Sequence, residues 1–447
     1  MPWRPIELET PDERVLYYAL ALTWVWYVLG ALYMVPPVVA WLLFGTWFWR
    51  WVTCTETLPN RPFTPLVAIW WAGMLVMLLA LVVGHLTWDL GVPQLIKSSI
   101  GWMKGWALFA IFVMIGACLH VRPEVIYRAG TSVVLQTLAL MPLFIIAPMI
   151  GLPAKLYISP VLMLGGPGPE YFEVQLYSAS FDGSTRWRFF TPWPPAASVA
   201  FGILTPLVLR ERSAAIQALG VAVVIAVVMM SKSRLGLIAI PTALLVTAVL
   251  SRLTNARLLL VSAAVFLIAG LMGEYVIEFV TDQKERMNQM RAESSYVREA
   301  LARLAIYRWY TEAPVWGHGI VEAGPPFVEF MPIGSHHSWY GLLFVKGAVG
   351  FAALLLPLIF TWLELIAKAQ KERTARTGLA FILLFTFFTF TENVEMLAYL
   401  IWPAFVIIGI ASRKRMFGLF RWPLGQPVRK AADSAVPLRE AVMPKPI

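Results

Sequence analysis

Two adjacent histidines, His336 and His337, stand in "GSHHSWYGLLFVKGAVG", just ahead of a long apolar run, in a chain with five histidines among 447 residues. An imidazole titrates near neutrality and can accept a proton from a hydroxyl. A lone histidine at a membrane rim more commonly bonds a carbonyl or sits in headgroup water, so position alone makes neither one a base. A metal site has less behind it. No His/Cys/Asp/Glu cluster has ligand spacing, and only folding could bring His318 to the pair. Three further segments carry cations beside apolar sequence. In "MMSKSRLGLIAIP", Lys232 and Arg234 interrupt an otherwise continuous apolar stretch. This is either a solvated turn or a phosphate clamp, because cations at membrane depth usually face a cavity or a partner and a guanidinium fork matches phosphate oxygens. In "STRWRFFTPWPP", Arg186 and Arg188 alternate with Trp187, Phe189, Phe190 and Trp193. That is either an interfacial aromatic belt or a basic mouth in which arginines hold phosphate and rings stack on sugars. In "SSYVREALARLAIYRWYTEAPVWGHG", Val297, Leu301, Leu304, Ile306 and Tyr307 give an approximately helical apolar face, with Arg298, Glu299 and Arg303 towards the other side and Pro314 and Gly317 ending the pattern. The arginines of this amphipathic helix read as solvated or paired with Glu299 and Glu312.

The elements that must position these residues are membrane spans. Hydrophobic residues make up 59% of the chain and charged residues 14%, with a mean hydropathy of +0.69, where a soluble domain is about a quarter charged. The expected fold is an all-α polytopic membrane protein of about twelve spans. Spans are expected near 15–33 and 35–52, as a hairpin hinged at Pro36-Pro37, then near 64–86, 101–119 and 131–150. After a polar segment they resume near 194–209, 214–230, 235–251 and 257–276. A polar loop holding the amphipathic helix fills 277–337, the last spans lie near 338–365, 378–392 and 396–412, and a basic tail covers 413–447. The chain thus divides into nine spans over 1–276, the loop, three spans over 338–412, and the tail. The opening "MPWRPIELETPDER" is too acidic for a signal-peptide n-region. Cys54 and Cys118 offer neither a disulfide framework nor ligand spacing. The net charge of +10 sets topology rather than pointing to nucleic acid. Arg210–Ser213, Ser251–Arg257, Lys368–Gly378 and the segment from Ser412 are basic, and the alternation closes if all four are cytoplasmic. Both termini are then inside, and the four chemistry-bearing segments share the outer face, the periplasm in a bacterium.

The order of these segments resembles the O-antigen ligase and O-antigen polymerase superfamily of bacterial envelope glycosyltransferases. "SKSRLG" is similar to that family's SxSRxG at a span boundary. An arginine-led helix then closes on Pro314, Gly317 and Gly319. His336, Gly347 and Gly350 fall eleven and fourteen residues apart, in the register of HNxYLxxLxxxGxxG, and Thr391–Asn393 supplies TEN. The likeness covers the C-terminal half well and the N-terminal half by span count. The family's Asn after the histidine is His337 here. Arg298 best fits the family's loop arginine by spacing, with Arg291 and Arg303 as alternatives.

The resemblance implies transfer of a glycan from undecaprenyl diphosphate to lipid A-core or another glycan, in the inner membrane at the periplasmic face, with no nucleotide and no metal cofactor. His336 would be the base for the acceptor hydroxyl, with His337 orienting it or binding sugar. Arg188 and Arg234 would clamp the diphosphate, with Arg186, Arg298 and Arg291 as further binding residues. Attack from the face opposite the diphosphate implies inversion. The loop of about sixty residues before the histidines is typical of the ligases in that family and favours ligase over polymerase. A transporter or flippase of a lipid-linked anion is the reading of another class. It would show broken helices at matching positions of repeated halves, and no such pairing is visible in the sequence. A scaffold would need none of the buried cations.

Overall fold

The computed structural model describes residues 6–53, 63–179, 183–275, 277–278, 281–282, 292–328 and 330–413. Cys54, Arg291 and the tail from 414 lie outside them. The described residues are overwhelmingly helical, with two short antiparallel hairpins. In chain order the helices are α1 (Pro11–Ala21), α2 (Thr23–Val28), α3 (Val35–Val52), α4 (Pro65–Thr87), α5 (Val92–Lys104), α6 (Trp106–Cys118) and α7 (Pro123–Met149). The polar segment holds β1 (Lys155–Ile158) paired with β2 (Glu173–Gln175), and β3 (Ser178–Ala179) paired with β4 (Thr185–Arg186). Then follow α8 (Pro194–Val208), α9 (Ala214–Met230), α10 (Arg234–Leu250), α11 (Ala256–Leu271), α12 (Ala292–Glu312), α13 (Ser338–Ala369), α14 (Arg373–Thr389) and α15 (Ala398–Ser412).

Among the described residues, four segments are long and apolar enough to cross a membrane: Pro65–Thr87, Val92–Cys118, Pro123–Met149 and Ser338–Ala369. The shorter helices α8, α9, α10 and α15 are apolar as well. The centre of the bundle is α6 against α15, with α4 against α13 beside it. Phe109, Phe385 and Phe405 interlock there, with rings 4.6 to 5.3 Å apart. Helices α6 and α15 approach closely because Gly116 and Gly409 face each other's backbones, and a Cβ on either would collide with the opposite chain.

Several expectations need correction. The first hairpin turns at Gly30 rather than at Pro36-Pro37. Gly30 is left-handed (φ 64°), and the Gly30 and Ala31 N–H groups cap carbonyls of α2. Both prolines fall in the first turn of α3, where a missing N–H costs nothing. The span placed at 101–119 begins at Val92 and is interrupted at Gly105, where a side chain would run into Glu395. The apolar face of α12 runs through Val297, Ala300, Leu301, Leu304 and Ala305, while Ile306 and Tyr307 point outward. At about 100° per residue those two are rotated off the stripe. Arg303 pairs with Glu299 and Arg308 with Glu312.

The largest correction concerns α13, expected to be one uninterrupted span. Gly347 adopts φ 62°, ψ −165° inside it, a conformation open only to glycine. The backbone groups freed by the break bond to the segment after α12. The His318 and Gly319 N–H groups donate to the Phe344 and Val345 carbonyls at 2.8 and 2.9 Å, and the Ala348 and Val349 N–H groups donate to the Pro314 and Val315 carbonyls at 3.0 and 3.2 Å. The Pro314–Gly319 motif is therefore a plug. Gly317 lies on the Gly347 backbone, and Gly319 lies on Gly84 of α4.

Candidate active site

The turn carrying the two histidines is built from the backbone outward. Gly334 is left-handed and packs on Gly341, leaving no room for a side chain. His336 is also left-handed (φ 63°), a conformation that costs a non-glycine residue of order 1 kcal/mol or more and is held only where the surroundings enforce it. Lys232 (φ 52°) and Phe189 (φ 53°), in two other chemistry-bearing segments, share this strain.

The next residues fix the turn. His337 caps α13: its Nδ1 accepts from the Tyr340 N–H at 3.4 Å, and its ring stacks on Tyr340 at 3.8 Å. Ser338 Oγ donates to the Glu392 carbonyl at 2.7 Å and accepts from the Val394 N–H at 3.0 Å. The Trp339 indole donates to Thr389 Oγ1 at 2.9 Å. The histidine turn and the Thr391–Asn393 hairpin thus form one unit. A ring whose Nδ1 lone pair accepts the Tyr340 N–H has that lone pair engaged, so the candidate base of the pair is His336.

That imidazole is half-buried. Burial and, behind it, the Arg298 guanidinium push it down to about 4. Burial alone pushes His337 down to about 4 as well. Both rings are neutral at neutral pH. Arg298, exposed on α12, also acts on Glu392. The Glu392 carboxyl is buried and accepts the Trp193 indole N–H at 3.1 Å. Burial pushes it up to about 7, against the opposing pull of Arg298 and the Trp193 bond. The Arg298 charge therefore bears both on an imidazole that is neutral at neutral pH and on a carboxyl that titrates near neutrality.

The other cationic segments join the same rim. Arg186 Nη2 donates to the Ser231 carbonyl at 3.1 Å, and the Trp187 N–H donates to the Met230 carbonyl at 3.4 Å. Lys232 bonds Ser184. Ser233 caps α10 and donates to Ser198 Oγ at 2.8 Å, which leaves Arg234 at the first helical position. Trp193 closes the chain of contacts onto Glu392.

Arg188 stands apart. It is 3% exposed, and its Nη1 donates to Glu173 Oε1 at 2.9 Å and to the Pro192 carbonyl at 2.7 Å, while Lys155 holds the other Glu173 oxygen. A phosphate would have to displace Glu173 to reach it. Its role in this structure is to tie β2 to the start of α8. Sequence reasoning gave Glu392 no role beyond its motif, named Trp193 only among the aromatic rings and His318 only as a residue that folding could bring to the pair. The first could have been suspected from an acid in an apolar hairpin. The other two depend on contacts across large sequence separations. The chain matches no family model and no curated protein sequence.

Proposed function

We propose that this protein is a glycosyltransferase of the O-antigen ligase type, with about twelve spans, both termini cytoplasmic, and its site facing the periplasm of a bacterial inner membrane. One observation carries the reading: a neutral, strained imidazole at His336 shares the Arg298 guanidinium with the buried Glu392 carboxyl. The motif order in the sequence supplies the substrate class, a glycan on undecaprenyl diphosphate and an acceptor hydroxyl of lipid A-core.

In this reading the donor's diphosphate lies along Arg298, Arg234 and Arg186. Its negative charge offsets Arg298, so His336 becomes more basic when donor is bound than when the site is empty. His336 takes the acceptor proton as the acceptor oxygen bonds the anomeric carbon. The bond from that carbon to the diphosphate oxygen breaks, and the electron pair leaves with undecaprenyl diphosphate, whose growing charge the guanidinium groups stabilise. The proton stays on His336 until solvent removes it, and the anomeric configuration inverts.

A second reading has its own observation. Helices are interrupted at Gly105 and at Gly347; Glu395 packs on the first break and acts electrostatically on the buried Lys346 beside the second. Interrupted helices around charged groups are a transporter feature. Reconstitution separates the two. Purified protein is mixed with undecaprenyl-diphosphate glycan and lipid A-core in liposomes with EDTA, and products are run on a gel. Core-linked glycan from wild type, formed much more slowly by His336→Ala and Arg298→Ala, supports the ligase. Longer lipid-linked ladders without core modification mean a polymerase. Labelled lipid crossing the bilayer with no covalent product means a transporter.

A further inference from the structure

His318 does not belong to the rim, yet it is more completely held than either residue of the doublet. Its side chain is buried between the Trp88 indole of α4, 5.1 Å away and 23° from parallel, and the Phe344 ring of α13, 4.2 Å away and 19° from parallel. Nδ1 lies 3.0 Å from the Phe344 carbonyl oxygen, and Nε2 lies 2.8 Å from Glu312 Oε2. A carbonyl oxygen can only accept. The Glu312 carboxyl, held below the ordinary carboxylate range chiefly by its bonds to Arg308, also accepts. Both ring nitrogens therefore face acceptors, which fixes the ring at two points.

Arg308 completes the cluster. It donates to both Glu312 oxygens at 2.8 to 3.1 Å, reaches Glu322, and lies over the Phe344 ring at 5.2 Å. The groups bonded together are Arg308 and Glu312 from α12, His318 from the plug, and Glu322 beyond it, while α4 and α13 present rings.

We propose that Arg308, Glu312 and His318 form a latch that docks the C-terminal end of α12 onto the break in α13 and so positions Arg298 against His336. The positioning half of this rests on the proposed function; the docking half does not. Arg298 lies on the same helix as Arg308, about three turns away. The latch fixes the helix end, and burial of Ala305 against Ile333 and Phe344 continues the contact towards Arg298. His318 is a positioning residue, since it acts on the rim through α12.

The test reads docking and transfer separately, in full-length protein with Cys54 and Cys118 replaced by serine. Ala305→Cys, fully buried in the docked helix, reports docking by its rate of maleimide labelling. Tyr310→Cys on the exposed side corrects for thiol reactivity, and Ala353→Cys reports the bundle below the break. With the latch intact, Ala305→Cys labels slowly. His318→Ala is expected to raise that rate about tenfold and leave Ala353→Cys unchanged. Glu312→Gln is also expected to raise the rate, because an amide –NH2 in place of Oε2 would face the Arg308 Nε–H and Nη2–H donors, and an amide oxygen there would give up the ion pair. In the transfer assay, His318→Ala lowers kcat about tenfold, and adding it to Arg298→Ala costs nothing more.

Equal labelling in wild type and His318→Ala overturns the latch. So does faster labelling at both Ala305→Cys and Ala353→Cys, which would mean the whole bundle loosens. Full additivity of His318→Ala and Arg298→Ala overturns the positioning half. A labelling difference with no transfer by wild type supports docking while removing the proposed function.

Discussion

His318 and His336 are both held against α13, in opposite ways. Around His318 every charge is answered: the ring between two acceptors, Glu312 between His318 and Arg308, Arg308 between two carboxylates. Around His336 charges are left unbalanced. A neutral ring and a carboxyl with its acidity suppressed share one exposed arginine. Balanced networks hold a fold in one arrangement. An unbalanced group is one that an incoming anion or proton can still change. The same contrast separates Arg188, closed onto Glu173, from Arg298.

The contrast breaks most clearly with His336→Ala. Its expected effect is a loss of transfer of about 10²- to 10⁴-fold, with no change in the melting of the purified protein beyond about 1 °C. Arg188→Met should do the reverse. It leaves the buried Glu173 carboxylate with Lys155 as its remaining charged partner and costs about 1–3 kcal/mol of stability, read as lost folded yield or a lowered Tm, and Arg188→Met with Glu173→Met should recover much of it. Gly347→Ala forces a side chain into the Val315 carbonyl at a backbone angle that alanine resists. A loss of about 1–3 kcal/mol is expected, with α12 labelled faster in the Ala305→Cys background. The smallest effect is expected of His337→Asn. Asparagine caps a helix as well as histidine does, so stability changes by about 1 kcal/mol or less and transfer stays within about threefold of wild type, which would confirm that His337 is the cap.

The sequence carried most of this fold because spans are written in long apolar runs. The limits of α4, α8, α10 and α15 lie within two residues of the expected ones, and those of α9 coincide with them. The breaks were hidden for the same reason. Gly105 and Gly347 lie within apolar stretches, and what interrupts the helix is a contact from elsewhere, Glu395 in one case and the Pro314–Gly319 plug in the other. The rim was legible as residue types. Its internal assignments needed geometry: which histidine caps, which arginine is closed onto a carboxylate, and which acid lies near the base. Arg188 shows why. In sequence it is a cation among aromatics, like Arg186, and only the pairing of β1 with β2 brings Glu173 and Lys155 to it.

The most direct test of the central claim is the pH dependence of kcat/KM for transfer, in wild type and Arg298→Gln. In the proposed mechanism the neutral His336 ring is the active form. Wild-type activity should therefore persist on acidification and fall only as pH approaches about 4. Removing Arg298 takes away a like charge from His336, so its acid limb should move to higher pH, with the variant most impaired in the acid range. The same change takes an opposite charge from Glu392 and should move its titration above about 7. An acid limb at the same pH in both proteins, or a wild-type limb unchanged by His336→Ala, would contradict the assignment of His336 as the base beside Arg298.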